Sequence, residues 1–441
     1  MGISRPEIVS TGQRRIAELA RQSPQMSFTS LNRYLTNDWL KEAFRLTRKD
    51  GAAGIDDQTA DEYASDLEAN LQRLADSAHA GTYFAPPVKR AFIPKGPGTE
   101  ELRSIGVPTF EDKVLQRGVV MLLEPIYEQD FLPCSYGFRP GRSQHQCLNA
   151  LSHDIVRSGG GWILEVDIRK FFDTMDLAHL RTLLEQRVND GVVRRLIHKW
   201  LKAGVWHMGE VSYPDSGCPQ GGVVSPLASN VYLHYTLDLW FENEVKRCLR
   251  GKASLYRWAD DFIVLFQYKE DAERVLAVLG QRFAKYGLSV HPEKTRLVDF
   301  VNPSDWHGRG SGQPGTFNFL GFCFYWGKTR KGKWSPKQKT ARERLRRGIT
   351  RIHDWCRNNR HQAVADQHKA LNAKMRGHYQ YYGVTGNNER LDQFYRAVLR
   401  AWRFWLNRRS NDAGMTWEKF YRLTARYPPI RPFIAHPAPV R

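Results

Sequence analysis

The chain has 441 residues, of which 41% are hydrophobic, so it is long enough for two or three globular domains with ordinary packed cores. No stretch approaches the roughly 20 uncharged apolar residues of a membrane span, and the first residues are too polar for a signal peptide. The six cysteines are scattered, without a C-x-x-C pair or a zinc-type cluster, so we expect reduced core thiols, a cytoplasmic protein and no membrane partner.

The net charge of +20 is concentrated in the last quarter of the chain. Residues 327–441 hold 27 Lys and Arg against 7 Asp and Glu, whereas residues 1–326 hold 39 of each. A neutral body with a basic arm favours a polyanionic partner such as a nucleic acid. The competing interpretation is a set of solvated helix faces that binds nothing.

The first predicted elements are helices within residues 36–79, interrupted by a loop at 48–59 whose Asp57 could cap the next helix. A hairpin follows, with a strand from Val88 to Pro94, a Gly-Pro-Gly turn and a second strand from Leu102 to Val107.

The middle of the chain mixes helices with short apolar strands. Helices are predicted over Glu111–Gln129, Ser143–Arg157 and about 270–286, with a longer one after the glycine-rich turn at 217–222, and strands over 161–168, 254–258, 262–266, 295–300 and 317–326. Asp167 falls where the strand at 161–168 ends, and Asp173 or Asp176 is predicted to cap the helix that follows.

The basic arm is predicted to be helical. The patterns over 337–359, 363–383 and 389–409 indicate three helices with apolar stripes and basic faces, and 416–426 indicates a short fourth helix. Aromatic residues at helical spacing, such as Tyr379, Tyr382 and Trp402, are assigned mostly to the core.

Asp260 and Asp261 form a carboxylate pair at or near a tight turn between two strands, which by itself could be a solvated acidic turn. Asp167 ends another apolar strand, and a sheet that places this strand beside the hairpin would bring three carboxylates together. Their repulsion favours bridging cations, and oxygen ligands suit Mg²⁺. Since two such ions are the standard device for in-line phosphoryl transfer, the carboxylates and the basic arm together predict nucleotidyl transfer.

The segments "EVDIRKFFD", "CPQGGVVSPLASNVYL", "YRWADDFIVLF", "LSVHPEKT" and "FNFLGF" follow the order of reverse transcriptase polymerase motifs. Upstream, "KDGAAGID", "IPKGPGTEELRSIGVPTFEDKVLQ" and "SYGFRPGRS" resemble the bacterial group II intron reverse transcriptases, and downstream "LNAKMRGHYQYYG" resembles their maturase, or thumb, domain. The resemblance covers roughly residues 36–430 and rests on many separate motifs. Before Ala-Asp-Asp, relatives usually carry tyrosine where this chain has Trp258.

The resemblance implies an α+β right-hand polymerase, with fingers, a palm that contains an antiparallel sheet, and an α-helical thumb. The expected organisation assigns 1–80 to an N-terminal extension and the start of the fingers, 81–326 to fingers and palm, 327–410 to the thumb or maturase domain, and 411–441 to a basic DNA-binding segment.

Carried over by position, the resemblance makes Asp167, Asp260 and Asp261 the catalytic ligands of two Mg²⁺ ions, joined by the backbone carbonyl of Ile168. Five residues would contact the incoming nucleotide: Lys95 and Arg103 at the triphosphate, Phe172 under the sugar, where it excludes a ribose 2′-hydroxyl, Gln220 at the nucleotide, and Lys294, which protonates the departing pyrophosphate. From the residues alone, these remain surface cations, a core aromatic and a glycine-rich turn that starts a helix.

Arginines are the predicted contacts to nucleic acid. Arg139 and Arg142 serve either template binding or the scaffold, with neither role preferred. The cluster at the start of the first basic helix is expected to touch an RNA or primer backbone and contains Arg342, Arg344, Arg346 and Arg347.

The activity implied is that of an RNA-directed DNA polymerase that uses dNTPs, an RNA template and a DNA primer, binds structured intron-like RNA, and assists splicing and mobility into target DNA. No zinc-type cysteine pairs follow the basic helices, so the endonuclease domain of some relatives is expected to be absent, leaving priming to a nick or replication fork. Two alternatives stay open: a domesticated relative in repair or phage defence, and an RNA-binding maturase that no longer polymerises. The expected location is the bacterial cytoplasm, on the nucleoid when bound to DNA; the oligomeric state is open.

Overall fold

The computed structural model describes residues 6–94, 102–213, 217, 221–305, 315–329, 331–409 and 414–437. These residues form a mixed fold of helices and strands. The α-helices are α1 (Pro6–Gln22), α2 (Asn37–Leu46), α3 (Ala60–Ala64), α4 (Leu67–Ala80), α5 (Phe110–Asp130), α6 (Gln144–Ser158), α7 (Phe171–Thr174), α8 (Leu177–Glu185), α9 (Gly191–Leu201), α10 (Ser225–Leu233), α11 (Lys269–Ala284), α12 (Arg342–Asn358), α13 (Val364–Tyr382), α14 (Asn388–Leu406) and α15 (Trp417–Arg426).

The strands form three sheets. They are β1 (Val88–Pro94), β2 (Leu102–Val107), β3 (Trp162–Asp167), β4 (Val205–His207), β5 (Glu210–Ser212), β6 (Ala253–Trp258), β7 (Asp261–Phe266), β8 (Arg296–Asp299), β9 (Phe317–Phe319), β10 (Phe322–Lys328) and β11 (Trp334–Thr340). The strand orders are β2-β1-β4-β5, β6-β7-β3-β8 and β11-β10-β9. Short 3₁₀ turns at Asn32–Tyr34, Lys246–Cys248 and Pro303–Asp305 and π-helical turns at His234–Asp238 and Phe241–Val245 complete the elements.

The chain divides into two compact units. The first comprises Met1–Ile93, Leu102–Cys147 and Leu164–Leu297, and the second comprises Pro94–Glu101, Leu148–Ile163 and Val298–Arg441. The expected boundary between residues 326 and 327 falls inside β10 and therefore within the second unit. Among the described residues, none of the helices is both long enough and apolar enough to cross a membrane.

In the first unit, α5 is anchored by a buried carboxylate. Asp112 accepts hydrogen bonds from the Tyr83 hydroxyl at 2.7 Å, Gln116 Nε2 at 2.9 Å and Trp200 Nε1 at 2.5 Å. These donors come from the segment before β1, from α5 itself and from α9, so one side chain ties three elements together. Burial raises the pKa of Asp112 to about 6 because the charged form is poorly solvated.

In the second unit, the basic helices pack around a continuous apolar core. Met375 and Tyr379 of α13 and Phe394 and Trp402 of α14 are buried in it. Trp402 satisfies its indole by donating to Gln367 Oε1 at 3.0 Å. The assignment of Tyr379 and Trp402 to the core is confirmed, whereas Tyr382 is half-buried and packs its ring against that of Phe322 at 5.3 Å.

Several predicted boundaries are confirmed and others are wrong. The strands β1 and β2 have the predicted bounds, and Asp176 caps α8 by accepting from the amides of Ala178 and His179. Asp57 does not cap α3; Thr59 does, in a capping box with Glu62, while Asp57 pairs with Lys89 at 2.6 Å.

The first basic helix also starts later than predicted. Residues 337–340 belong to β11, so α12 begins at Arg342.

The helix α1 and the strands β4 and β5 were not predicted. The described cysteines form no disulfide; Cys147 and Cys356 are core thiols as expected, whereas Cys248 is exposed.

We expect Asp112→Asn to change how stability depends on pH. The folded pKa of about 6 lies above the ordinary value of 3.8, so the protonated carboxyl favours the folded state below about pH 4, and this contribution is lost as the pH rises through 6. The free energy of unfolding of the parent relative to the variant should fall by about 2 kcal/mol between pH 4 and pH 7, measured by urea denaturation.

The matched control is Asp76→Asn, which removes an exposed carboxylate from α4. Its effect should stay within about 0.5 kcal/mol. A parent-to-variant difference for Asp112→Asn that is flat across this pH range would contradict the expectation.

Candidate active site

The carboxylate pair lies at a tight hairpin, as predicted. Strands β6 and β7 are antiparallel, and Trp258 is paired with Asp261, so Ala259 and Asp260 form a two-residue turn. Ala259 has a φ of 55°, in the left-handed region that non-glycine residues rarely adopt. Asp261 is exposed at the first position of β7, and Asp260 is half-buried in the turn.

Asp167 is brought to the same place by sheet order. Its strand, β3, is the neighbour of β7, and the backbone carbonyl of Asp167 accepts from the amide of His291 at 2.8 Å where the strand ends. Burial raises the pKa of Asp260, and the nearby negative charge of Asp167 raises it further. The predicted neighbourhood of the two strands is therefore confirmed, and the carboxylates repel each other.

Lys294 offsets part of this repulsion. Its ammonium lies 2.9 Å from Asp167 Oδ2, and the side chains of the pair are 62% and 38% exposed, respectively. An ion pair this open to water contributes about 0–1 kcal/mol. Because the pair is weak, either partner can exchange it for a ligand at little cost.

A buried arginine holds the turn in place. Arg257 of β6 is completely buried, and all five of its N–H groups are used within the first unit. Two bind the Asp238 carboxylate at 2.8 and 2.5 Å. The others donate to three acceptors: Asn230 Oδ1 at 2.9 Å, Ser135 Oγ at 2.8 Å and the backbone carbonyl of Ala259 at 3.1 Å.

The bond to the Ala259 carbonyl fixes the peptide between Ala259 and Asp260, so Arg257 positions the carboxylates without reaching them. Sequence reasoning missed this residue. One signal was available. Arg257 is two residues from Leu255 on a predicted strand and therefore lies on the same, buried face. A charged side chain at a buried position requires a buried acidic partner.

The segment "SYGFRPGRS" supports the turn from the other side. Ser135 forms a parallel bridge with Arg257, so this segment runs along β6 like a further strand. A Cβ atom at Gly137 would lie 2.4 Å from the amide nitrogen of Ala259, and the Gly137 carbonyl accepts from Asn230 Nδ2 at 2.7 Å. Only glycine permits this approach.

Of the two arginines in that segment, Arg139 is part of the scaffold. It is buried, binds both carboxylate oxygens of Glu128, and donates to the carbonyls of Leu132 and Ser135. With these groups engaged, the contacts of Arg139 favour the scaffold, one of the two roles left open for it. Arg142 is exposed, with its guanidinium 5.5 Å from the Tyr136 ring, and its role stays a prediction.

The residues expected at the nucleotide are only partly within the described chain. Arg103 lies on β2, and its positive charge lowers the pKa of Asp260 against the larger effect of burial, so the guanidinium is near the carboxylates. Lys95 and Gln220 lie outside the described residues. The strand β2 passes close to Gly221, where a Cβ atom would lie 2.4 Å from the Gly106 carbonyl oxygen.

The two neighbouring phenylalanines, Phe171 and Phe172, differ in burial. Phe171 is 2% exposed and belongs to the core, whereas Phe172 is half-buried.

The basic cluster of α12 is accessible, since Arg342, Arg344 and Arg346 are exposed and Arg347 is half-buried.

The site offers oxygen donors to a cation, but the described donors do not surround a single position. Within the described ranges, no three His, Cys, Asp or Glu side chains are grouped closely enough to hold a metal ion together. Asp167 is engaged by Lys294, and Asp260 carries a raised pKa in part through Asp167. Oxygen donors that repel each other are the kind of ligands that a hard divalent cation such as Mg²⁺ prefers.

Comparison with known proteins places these residues in context. Residues 93–324, more than half of the chain, match the family model described as reverse transcriptase (RNA-dependent DNA polymerase). The chain is 36% identical over 258 residues to Protein YkfC of Escherichia coli, which covers 57% of this chain and 66% of that protein. It is 38% identical over 224 residues to Group II intron-encoded protein LtrA of Lactococcus lactis, covering 50% of this chain and 36% of the relative.

The chain is also 33% identical over 95 residues to Nuclear intron maturase 1, mitochondrial, of Arabidopsis thaliana. This shorter match covers 22% of this chain and 13% of the relative. The chain therefore spans at most about two thirds of the length of these relatives.

We expect Arg257→Lys to destabilise the protein by about 3 kcal/mol, measured by urea denaturation. Lysine keeps the positive charge, but its three N–H donors cannot replace five, so buried acceptors of Asp238, Asn230 and Ala259 lose partners. The control is Arg274→Lys on α11, where the side chain is 59% exposed and its ion pair is 3.9 Å long. A destabilisation by Arg257→Lys no larger than that of the control would refute the positioning role.

Proposed function

Because the chain belongs to the reverse transcriptase (RNA-dependent DNA polymerase) family, among the group II intron reverse transcriptases and maturases, we propose that it copies RNA into DNA by metal-assisted nucleotidyl transfer. The observation that carries the proposal is the meeting of Asp260 with Asp167 across neighbouring strands, where the charge of Asp167 helps to raise the pKa of Asp260. The first unit would then supply fingers and palm, and the helices of the second unit would supply the thumb.

Two Mg²⁺ ions would be held by Asp167, Asp260 and Asp261 together with the backbone carbonyl of Ile168. When bound, they would activate the primer hydroxyl and stabilise the leaving pyrophosphate. The chain's own contribution is a fixed turn. Arg257 and Gly137 hold the Ala259–Asp260 peptide, so the carboxylates need not be ordered during each reaction cycle.

Cationic side chains would handle the triphosphate. Arg103 lies close enough to Asp260 to lower its pKa, which supports a role at the phosphates, with Lys95 on the same hairpin. Lys294 would donate a proton to the departing pyrophosphate. Its pair with Asp167, 2.9 Å long and exposed to water, is weak enough for the ammonium to change partner, which supports this role. Gln220 would contact the nucleotide.

The RNA partner is proposed from the positive charge of α12 and from the names of the similar proteins. Exposed arginines on α12, among them Arg342, Arg344 and Arg346, offer a backbone-binding face in the region that holds the whole net charge. The relatives are named as a group II intron-encoded protein and an intron maturase. We infer that this chain binds structured intron RNA, assists its splicing, and extends a DNA primer at a target site in the bacterial cytoplasm.

We expect Asp261→Asn to abolish primer extension on an RNA template, by at least about 10³-fold, while changing the Kd for the template by less than about twofold. The binding charge lies outside the carboxylate site, so the two measurements should separate. Extension is followed by gel electrophoresis and binding by fluorescence anisotropy.

The matched control is Asp173→Asn, which removes another exposed carboxylate shortly after β3 and should retain most of the activity. Extension by Asp261→Asn at the parental rate would exclude the proposed site. Equal losses of extension and RNA affinity would instead indicate that polymerisation and binding share one surface.

Phe172→Ala should weaken discrimination against ribonucleotides by about 10- to 100-fold, because the space under the sugar would accept a 2′-hydroxyl. The measurement is the ratio of kcat/KM for a dNTP to that for the matching ribonucleotide. Phe171→Leu, a change in the core next to it, should leave this ratio unchanged even if stability falls. An unchanged ratio in Phe172→Ala would remove Phe172 from the nucleotide site.

A further inference from the structure

The hairpin of β10 and β11 in the second unit has two distinct faces. The strands are antiparallel, with Phe322 opposite Thr340 at one end and Lys328 opposite Trp334 at the other. Because side chains alternate along a strand, Phe322, Phe324, Trp326 and Lys328 share one face. That face is buried at Phe322 and Phe324 and becomes accessible toward the far end of the hairpin.

A cavity of about 530 Å³ lies on this face, within the size range of ligand pockets. Its walls include the rings of Trp326 and Trp334, with Pro336 opposite Trp326 in the strand register. Lys331 and Lys333 also line it, and Lys328 places its ammonium 5.4 Å from the centre of the Trp334 ring. Among the lining residues that the structure describes, none is acidic.

The walls are held from within the second unit. Trp326 donates its indole N–H to the carbonyl of Phe300 at 3.1 Å, and the two rings are 5.5 Å apart. Gln338, further along β11, donates to Ser152 Oγ of α6 at 2.5 Å. The Trp326 wall and the strand that carries Trp334 are therefore held before any ligand arrives, which reduces the entropy lost on binding.

Aromatic walls and lysines without a nearby carboxylate match one class of ligand. A nucleobase can stack on an indole, while the phosphates on either side of it bind ammonium groups. The base must be unpaired to enter, which excludes the interior of a duplex. We propose that this cavity, whose described lining includes neither the carboxylates nor the arginines of α12, binds an unpaired nucleotide of single-stranded RNA or DNA.

The site would deepen the proposed function by adding a contact to the nucleic acid, but it can be tested without polymerisation. We would measure the Kd of the full chain for fluorescent 12-residue oligomers of uridylate and of thymidylate by anisotropy over a series of salt concentrations. Trp334→Ala should weaken binding about tenfold, since removal of one stacked base is expected to have an effect of this order. Trp334→Phe, which keeps an aromatic face, should restore the Kd to within about threefold of the parent.

The paired change Lys331→Ala with Lys333→Ala should weaken binding and reduce the salt dependence, by about 0.7 in the slope of log K against log salt for each phosphate that the variant no longer binds. Tyr325→Ala is the matched control. Tyr325 is a half-buried aromatic residue on the opposite face of β10 from Trp326, with the ammonium of Lys339 4.4 Å from its ring centre, and it lies outside the cavity. Its replacement should change the Kd less than twofold.

Dependence on Trp334 for both oligomers would support a contact to either kind of strand, and dependence for uridylate alone would support RNA as the ligand. The proposal is overturned if Trp334→Ala leaves both Kd values within twofold, if Tyr325→Ala weakens binding equally, or if only the lysine changes have an effect. A parent that binds as expected but extends no primer would contradict the polymerase proposal and leave this site standing.

Discussion

The buried pair of Arg257 and Asp238 is the interaction on which the candidate site depends. A guanidinium in the interior is tolerated only when its charge is compensated and its N–H groups are bound, and here all five have acceptors. Those acceptors lie on different segments, Ser135 before α6, Asn230 in α10 and Asp238 in the π-helical turn after it. The geometry of one backbone carbonyl at the carboxylate turn is therefore set by contacts distributed across the first unit.

Repulsion among carboxylates shapes the site in a complementary way. Burial and the charge of Asp167 both make ionised Asp260 costly, while Arg103, Arg257 and, at Asp167, Lys294 act against that cost. These cations differ in permanence: Arg257 is enclosed and cannot leave, whereas Lys294 and Arg103 are exposed. Arg257 is therefore a fixed part of the structure, whereas the side chains of Lys294 and Arg103 are free to change partners.

The sequence could predict features whose cause is local. The strands β1 and β2, the β6–β7 turn and the Asp176 cap depend on residues close together in the chain, and each is where the pattern indicated. The position of Asp167 followed from a simple assumption about strand order. The pairing of β1 with β4, the strand character of 337–340 and the network of Arg257 could not be read locally, because each depends on a partner distant in sequence. Lys95 and Gln220 lie outside the described residues, so their predicted roles stand as predictions.

The left-handed conformation of Ala259 lowers the stability of the backbone but restricts the orientation of the peptide next to Asp260. An alanine at φ 55° carries backbone strain of about 1 kcal/mol that a glycine would not. A glycine would also let the peptide next to Asp260 sample more orientations, at the point where Arg257 and Gly137 now restrict it. Backbone stability and a sharply defined carboxylate geometry therefore favour different residues at position 259, glycine for the first and alanine for the second.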